Sequence, residues 1–210
     1  MIESIVKIWA KYDYVFLNGL WGTLWLAFVT VLFGTILGTL VALLRLSRCK
    51  VFQALTGAYI EVLRGTPILL QLYFFWLLLP KVLPFNVSDT ACIIVALVIN
   101  SSSYVAEVIR AGIQAVDKGQ MEAALTSGLS AAQAMRIIIL PQVFYVALPN
   151  CGNMLIALIQ ESSLAYLIGV ADVMGQAKII DNMSYGAHII EIYFAVSLLY
   201  WLLSLITGKC

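Results

Sequence analysis

Apolar residues run along this chain in blocks too long for strands and too unbroken for ordinary amphipathic helices. A helix needs about 20 mostly apolar residues to cross a lipid bilayer. Five segments meet that length: residues 19–44, 55–79, 89–113, 141–168 and 188–206. The first carries no charge between Asp13 and Arg45, and its Gly34 and Gly38 would let a second helix approach closely. The second holds Glu61, Arg64 and Pro67 inside it and ends at Pro80 and Pro84. The third carries Glu107 and Arg110 toward its end, and the fourth contains Glu161. Residues 1–18 interleave Glu3, Lys7, Lys11 and Asp13 with Trp9, Tyr12, Tyr14 and Phe16, which predicts an interfacial lead-in with its rings at headgroup level. That stretch has no apolar core of a cleavable signal. Residues 19–210 then form one membrane domain. The pattern predicts an all-α membrane protein with five transmembrane helices.

Composition agrees. Of 210 residues, 62% are hydrophobic and 11% charged, against roughly 45–50% and about 25% in a soluble domain. A net charge of +1 gives no reason to expect a nucleic-acid partner. Cys49, Cys92, Cys151 and Cys210 have no metal-ligand spacing and read as small buried hydrophobes. His188 opens the last span and needs no special role. Basic residues in short loops favour the cytoplasm. One side collects Arg45, Arg48, Lys50, Arg110, Lys118, Arg136 and Lys209, while the other has Lys7, Lys11, Lys81 and Lys178. The bias places the N-terminus outside, and the C-terminus and the 114–140 loop inside.

That loop, within a region of about 114–142, differs from its surroundings. Met121–Thr126 is rich in helix formers and stops at Gly128, a suitable left-handed cap. Ser130 opens a second helix with Gln133 three residues on, as a capping box requires, and Pro141 ends that helix before the next span. A short helix, a glycine turn and another helix can dock on a soluble partner and pass its motion to the flanking spans. The plainer alternative is a loop that packs on its own chain.

Charges at bilayer depth cost several kcal/mol each and usually face a partner or a wet cavity. Glu61, Arg64, Glu107 and Glu161 are such groups. Pro67 also frees a carbonyl near Leu63, and broken backbone at that depth is tolerated where it lines a cavity. Asn100, Tyr104 and Glu107 share one helical face. Two readings stand: these groups line a solute path, or Arg64 pairs with Glu61 or Glu107 and simply stabilises the bundle.

Several stretches resemble the membrane subunits of ABC importers, and within them the permeases for polar amino acids (histidine, arginine, glutamine and glutamate). They are Asn18-Gly19-Leu20 with Thr23-Leu24, Arg64-Gly65-Thr66-Pro67 with Gln71, Tyr104-x-x-Glu107-x-x-Arg110, and Gly119-Gln120-x-Glu122-Ala123-Ala124 followed by Gly128 and Ile139-Leu140-Pro141. They run in the family's order from about residue 18 to 206. The resemblance implies a type I importer permease fold in a bacterial inner membrane. It also implies a coupling region at Gly119, Gln120, Glu122, Ala123, Ala124, Gly128 and Leu129 that docks on an ATP-binding subunit. For a zwitterionic solute, Arg64, Thr66 and Gln71 could serve the carboxylate. Glu107 or Glu161, with Ser162 and Ser163, could take the ammonium or a polar side chain, and Tyr104 joins this path. The expected partners are two ATP-binding subunits carrying ATP and Mg, a second permease copy or paralogue, an external solute-binding protein, the amino acid and membrane lipid. No cofactor or metal is expected on this chain. Its one Gly-Lys, Gly208-Lys209, lacks the upstream glycine of a phosphate loop, so hydrolysis belongs to the partner.

Departures from the family are local. Gln160-Glu161-Ser162-Ser163-Leu164 stands where Lys-Asp-Thr-Ser-Leu is usual, and Ala111 where glycine is frequent. The chain also lacks the basic tail often seen. A free-standing secondary transporter or channel is the rival reading, but it gives no reason for the 114–142 loop. An enzyme finds no support in one histidine without HExxH or GxSxG.

Overall fold

The computed structural model describes residues 2–208, with side chains from Ile8 onward. Of the residues used above, Glu3 and Lys7 (as side chains), Lys209 and Cys210 lie outside that description. Helix α1 spans Ile2–Arg45, α2 Lys50–Gly65, α3 Ile68–Val82, α4 Asp89–Ala115 and α5 Lys118–Thr126. A short α6, Ala131–Ala134, runs through a π-helical turn, Met135–Ile139, into α7, Leu140–Glu161. A 3-10 segment Ser162–Ile168, α8 Val173–Met183 and α9 Ile189–Gly208 complete the chain.

Four stretches are long and apolar enough to cross a membrane: Ile8–Arg45, Asp89–Ala115, Ala131–Ile168 and Ile189–Gly208. The expected second span is not a straight helix. It is the pair α2 and α3, bent by 110° at Thr66–Pro67 and beginning at Lys50, and counting the pair as one span gives five. The expected lead-in is not separate either. It is helical and joins α1 directly, with a break in the backbone angles at Tyr12. Phe16, assigned above to the headgroups, is 1% exposed; it stacks on Trp9 and packs with Val173, Ile180, Ile192 and Val196. Of the cysteines, Cys92 is buried as expected, but Cys49 and Cys151 are exposed.

Close packing explains why α1 and α4 form the centre. A side chain on Gly38 would meet Val105 Cβ at 2.5 Å and Ser102 O at 2.7 Å, and one on Gly34 would strike Ser101. Ser101 and Val105 of α4 thus face the two glycines. Ser101, Ser102 and Ser103 are all buried, each with its hydroxyl satisfied by the carbonyl three residues earlier, so small polar residues pack around α4 without an orphaned group. Tyr59 of α2 adds a bond between its hydroxyl and Ser102 Oγ at 2.7 Å. Ser88 caps α4 by accepting from Ala91 N, with Asp89 in the first turn.

Pro141 does not end the second helix of the loop. Proline at the start of α7 cannot donate to the preceding turn, and the chain widens into a π turn there, in which Leu140 N bonds Met135 O. Gln142 Nε2 reaches back to Ile138 O at 3.0 Å. The helix therefore continues from Ala131 to Ile168.

Helix α8 had no counterpart in the hydropathy pattern. Asp172 caps it, accepting from Gly175 N at 2.8 Å and from the Tyr200 hydroxyl of α9 at 2.9 Å, while Val173 N donates to Thr23 Oγ1 of α1. Asp172 is fully buried, and loss of water pushes its carboxyl up to about 6. Asp172 and Val173 together thus tie the start of α8 to α9 and α1.

Candidate functional site

The site begins with the break between α2 and α3. Proline disfavours helical backbone in the residue before it, and Thr66 is extended at φ −114°, ψ 143°. The break leaves carbonyls of α2 without partners, and Gln71, one turn into α3, closes them. Its Nε2 donates to Leu63 O at 2.8 Å and lies 3.1 Å from Thr66 O and 2.8 Å from Thr66 Oγ1. Asn100 Nδ2 of α4 donates to Gln71 Oε1 at 2.9 Å. The carbonyl near Leu63 flagged from sequence is thus filled from inside the chain. Gln71 is 7% exposed, and its amide is committed to holding the bend. The Thr66 hydroxyl also donates to Val62 O at 2.8 Å.

The bend leaves Arg64 at the end of α2, facing α4. Its guanidinium lies 5.4 Å from the centre of the Tyr104 ring, and Nη1 is 3.7 Å from Glu107 Oε1. Glu107 is gripped more tightly by Arg110, at 2.6 and 2.9 Å, and Arg110 Nη1 also donates to Gln114 Oε1 at 2.7 Å. With Arg45, Glu61 and Gly65, the side chains of Arg64, Glu107 and Arg110 line a cleft of about 500 Å³. The Arg64 side chain is 42% exposed, against 25% for Glu107. Arg64 therefore keeps donors free toward the cleft, whereas Glu107 is held by two cations. Arg110, counted from sequence among the basic residues of the cytoplasmic side, is Glu107's main partner.

The other expected residues lie apart from this cluster. Glu161, Ser162 and Ser163 line neither this cleft nor the adjacent one. The segment just after them packs through Ala165 and Ile168 on Ile93, Ala96 and Leu97, well up α4 from Glu107. Ser162 is buried and donates to Ile159 O at 2.8 Å. Glu161 is half-buried with no hydrogen bond or ion pair among the described residues.

Two residues were missed in the sequence. Asn150 and Asn153 stand exposed in the middle of α7, without a hydrogen-bond partner among the described residues. Exposed hydroxyls in spans can bond their own helix, as Ser197 does to Tyr193 O. Each carboxamide brings two donors and an acceptor, and here they are left open. Read along the helix, Asn150, Asn153, Ala157 and Glu161 form one polar and small stripe, visible in the sequence as carboxamides at i and i+3 in a span.

The loop region is as regular as its residues suggested. Gly128 has φ +87°, and Leu129 N returns to Ala124 O at 3.2 Å in a left-handed cap. Ser130 and Gln133 make the reciprocal capping box. Asp117 caps α5 by accepting from Gly119 N at 2.6 Å. Gly119, Gln120, Glu122, Ala123 and Gly128 are exposed, Leu129 is half-buried, and Ala124 is buried beneath them.

Comparison with known proteins agrees with this architecture. Residues 34–208 match the family described as binding-protein-dependent transport system inner membrane component. The chain is 39% identical over 173 residues to a probable amino-acid ABC transporter permease protein, PatM, of Vibrio harveyi, covering 81% of this chain and 77% of that one. It is 37% identical over 185 residues to the L-cystine transport system permease protein TcyL of Bacillus subtilis, covering 85% and 77%. A solved amino acid ABC transporter, crystallised with histidines, superposes with a TM-score of 0.89 at 40% identity over 95% of this chain and 92% of that one. The chain belongs to this family, as a permease subunit of the amino acid ABC importers with the type I importer fold. It is a multi-pass protein of the bacterial inner membrane, working with ATPase and solute-binding partners.

Proposed function

We propose that this chain conducts a polar amino acid and is driven by two separate ATP-binding subunits, which carry the ATP and Mg and dock on Gly119–Arg136. The observation that carries the reading is the exposed, doubly capped α5–Gly128–α6 unit, whose second helix runs unbroken into a membrane span. Seven basic residues on the side of this unit against four on the other support a cytoplasmic position for it and for the C-terminus. Relatives at about the same identity include an L-cystine and an arginine permease, and the solved neighbour was crystallised with histidines. A polar amino acid is thus the class we carry to this chain.

Arg64, with Tyr104 and Glu107 beside it, is the part of the expected path that offers free donors to a carboxylate. Thr66, Gln71 and Ser162 support it by holding backbone, and Glu161 and Ser163 act at a second level along the path. The open stripe of Asn150 and Asn153 needs water or protein against it, because unpaired amides in hydrocarbon cost several kcal/mol. A second permease copy or a paralogue enclosing the path supplies both, and the external solute-binding protein delivers to it.

Reconstituted complexes test the docking. Glu122→Arg should reduce ATP-driven uptake at least tenfold and weaken retention of the ATPase, while the chain still inserts. Normal uptake with the ATPase still bound would show that the coupling region lies elsewhere.

A further inference from the structure

A second cleft, of about 680 Å³, opens where α1 and α4 finish and α2 begins. Arg45, Lys50 and Arg110 line it and no carboxylate does. The cleft beside Arg64 shares Arg45 and Arg110 but is also lined by Glu61 and Glu107, which oppose an anion there. Arg110 is already neutralised by Glu107 at 2.6 Å. Arg45 lies against Gly57, where a side chain would collide with the guanidinium, and donates to the Gln53 carbonyl. Neither Arg45 nor Lys50 has an ion pair among the described residues; the charge of Arg45 is shared with Glu107 across the neighbouring cleft, and that of Lys50 faces this one alone.

The start of α2 adds to this. Cys49 offers no side-chain cap, so the open N–H groups of the first turn and the positive end of the helix dipole lie at the same place as Lys50. The surroundings are apolar. Leu46 and Ala54 line the cleft, and Leu43, Val51 and Leu55 stand exposed on the adjoining turns of α1 and α2. Cationic pockets between helices at the membrane boundary suit anionic headgroups.

We propose that this cleft binds the phosphate of an anionic phospholipid, with its acyl chains lying along Leu43, Val51 and Leu55. An inorganic anion would satisfy the charges but leave that apolar rim unused. The lipid would brace the α1–α2 connection, beside the solute site but not in it.

Native mass spectrometry of the delipidated full-length chain tests the site, after incubation with phosphatidylglycerol, phosphatidylcholine or inorganic phosphate. The expected result is at least tenfold greater retention of phosphatidylglycerol than of phosphatidylcholine. Retention should fall about fivefold in Lys50→Gln, fall further in the Arg45→Gln/Lys50→Gln pair, and be unchanged in Lys81→Gln. The Lys50 side chain makes no hydrogen bond or ion pair among the described residues, so its variant keeps the fold and decides the matter if the pair does not fold. Equal retention of the two lipids, or no change in Lys50→Gln, would overturn the site. Retention of inorganic phosphate without lipid preference would overturn the lipid and leave a free-anion site.

Discussion

The chain breaks its helical course at Thr66–Pro67 and again at Gly128, and the two breaks are closed by opposite means. At Thr66–Pro67 the freed carbonyls are met by one buried side chain, Gln71, which is itself held by Asn100 from another helix. At Gly128 the ends are closed by the backbone and by the adjacent Ser130–Gln133 box, in the open. The difference follows the solvent. Within a bilayer no water can take an orphaned carbonyl, so the partner must be carried by the fold. In water the local chain suffices, and the outer faces of the residues are left open.

The comparison can be broken in graded steps. Gly128→Pro should have the largest effect, because proline cannot adopt φ +87° and would also delete the Gly128 N–H bond to Leu125 O. We expect ATP-driven uptake near background in reconstituted vesicles, with insertion intact by protease accessibility. Gln71→Ala should cost about 3 kcal/mol, since it strands Leu63 O and the Asn100 amide together. Thermal unfolding in detergent would show it, and an unchanged midpoint would mean that water closes the bend.

Asp172 sharpens the contrast from a third place. Its carboxyl titrates near 6 when folded, above the ordinary 3.8, so the folded state keeps the proton longer than the unfolded state. The stability it contributes is present below about 3.8 and falls as pH rises through about 6. Between pH 4 and 7 the wild type should lose about 2 kcal/mol that Asp172→Asn does not lose. Parallel pH profiles would mean that the carboxyl is not buried in the folded protein. Ser130→Ala is the mildest change, about 1 kcal/mol from one lost cap, and should lower the melting midpoint slightly while ATPase binding persists.

Much of this was legible in the residues. The Gly128 cap, the Ser130 box, the Gly34/Gly38 seam and the opened carbonyl near Leu63 depend on local chemistry, and local chemistry is what sequence spacing reports. The misses needed distant partners. Pro67 announces a break, but neither its angle nor the closure by Gln71 follows without α4 in place. Pro141 looked like a terminator because a π turn hides proline's missing donor. Helix α8 escaped because its length is short for a span and its start is anchored from far away in the chain, Asp172 by Tyr200 and Val173 N by Thr23. Arg110 entered as a charge on the cytoplasmic side, although it and Glu107 stand three residues apart on one helix; the geometry that leaves Arg64 half free beside them is tertiary.

From Ala131 to Ile168 the polypeptide is a single rod of 38 residues, roughly 55 Å end to end. Such a rod has no joint at the membrane surface. A push at its solvent-facing foot should therefore tilt or turn the whole piece, carrying Asn150, Asn153 and Glu161 together, and the widened turn before Pro141 and the missing donor at Pro149 are the places where the stroke could be absorbed instead of transmitted.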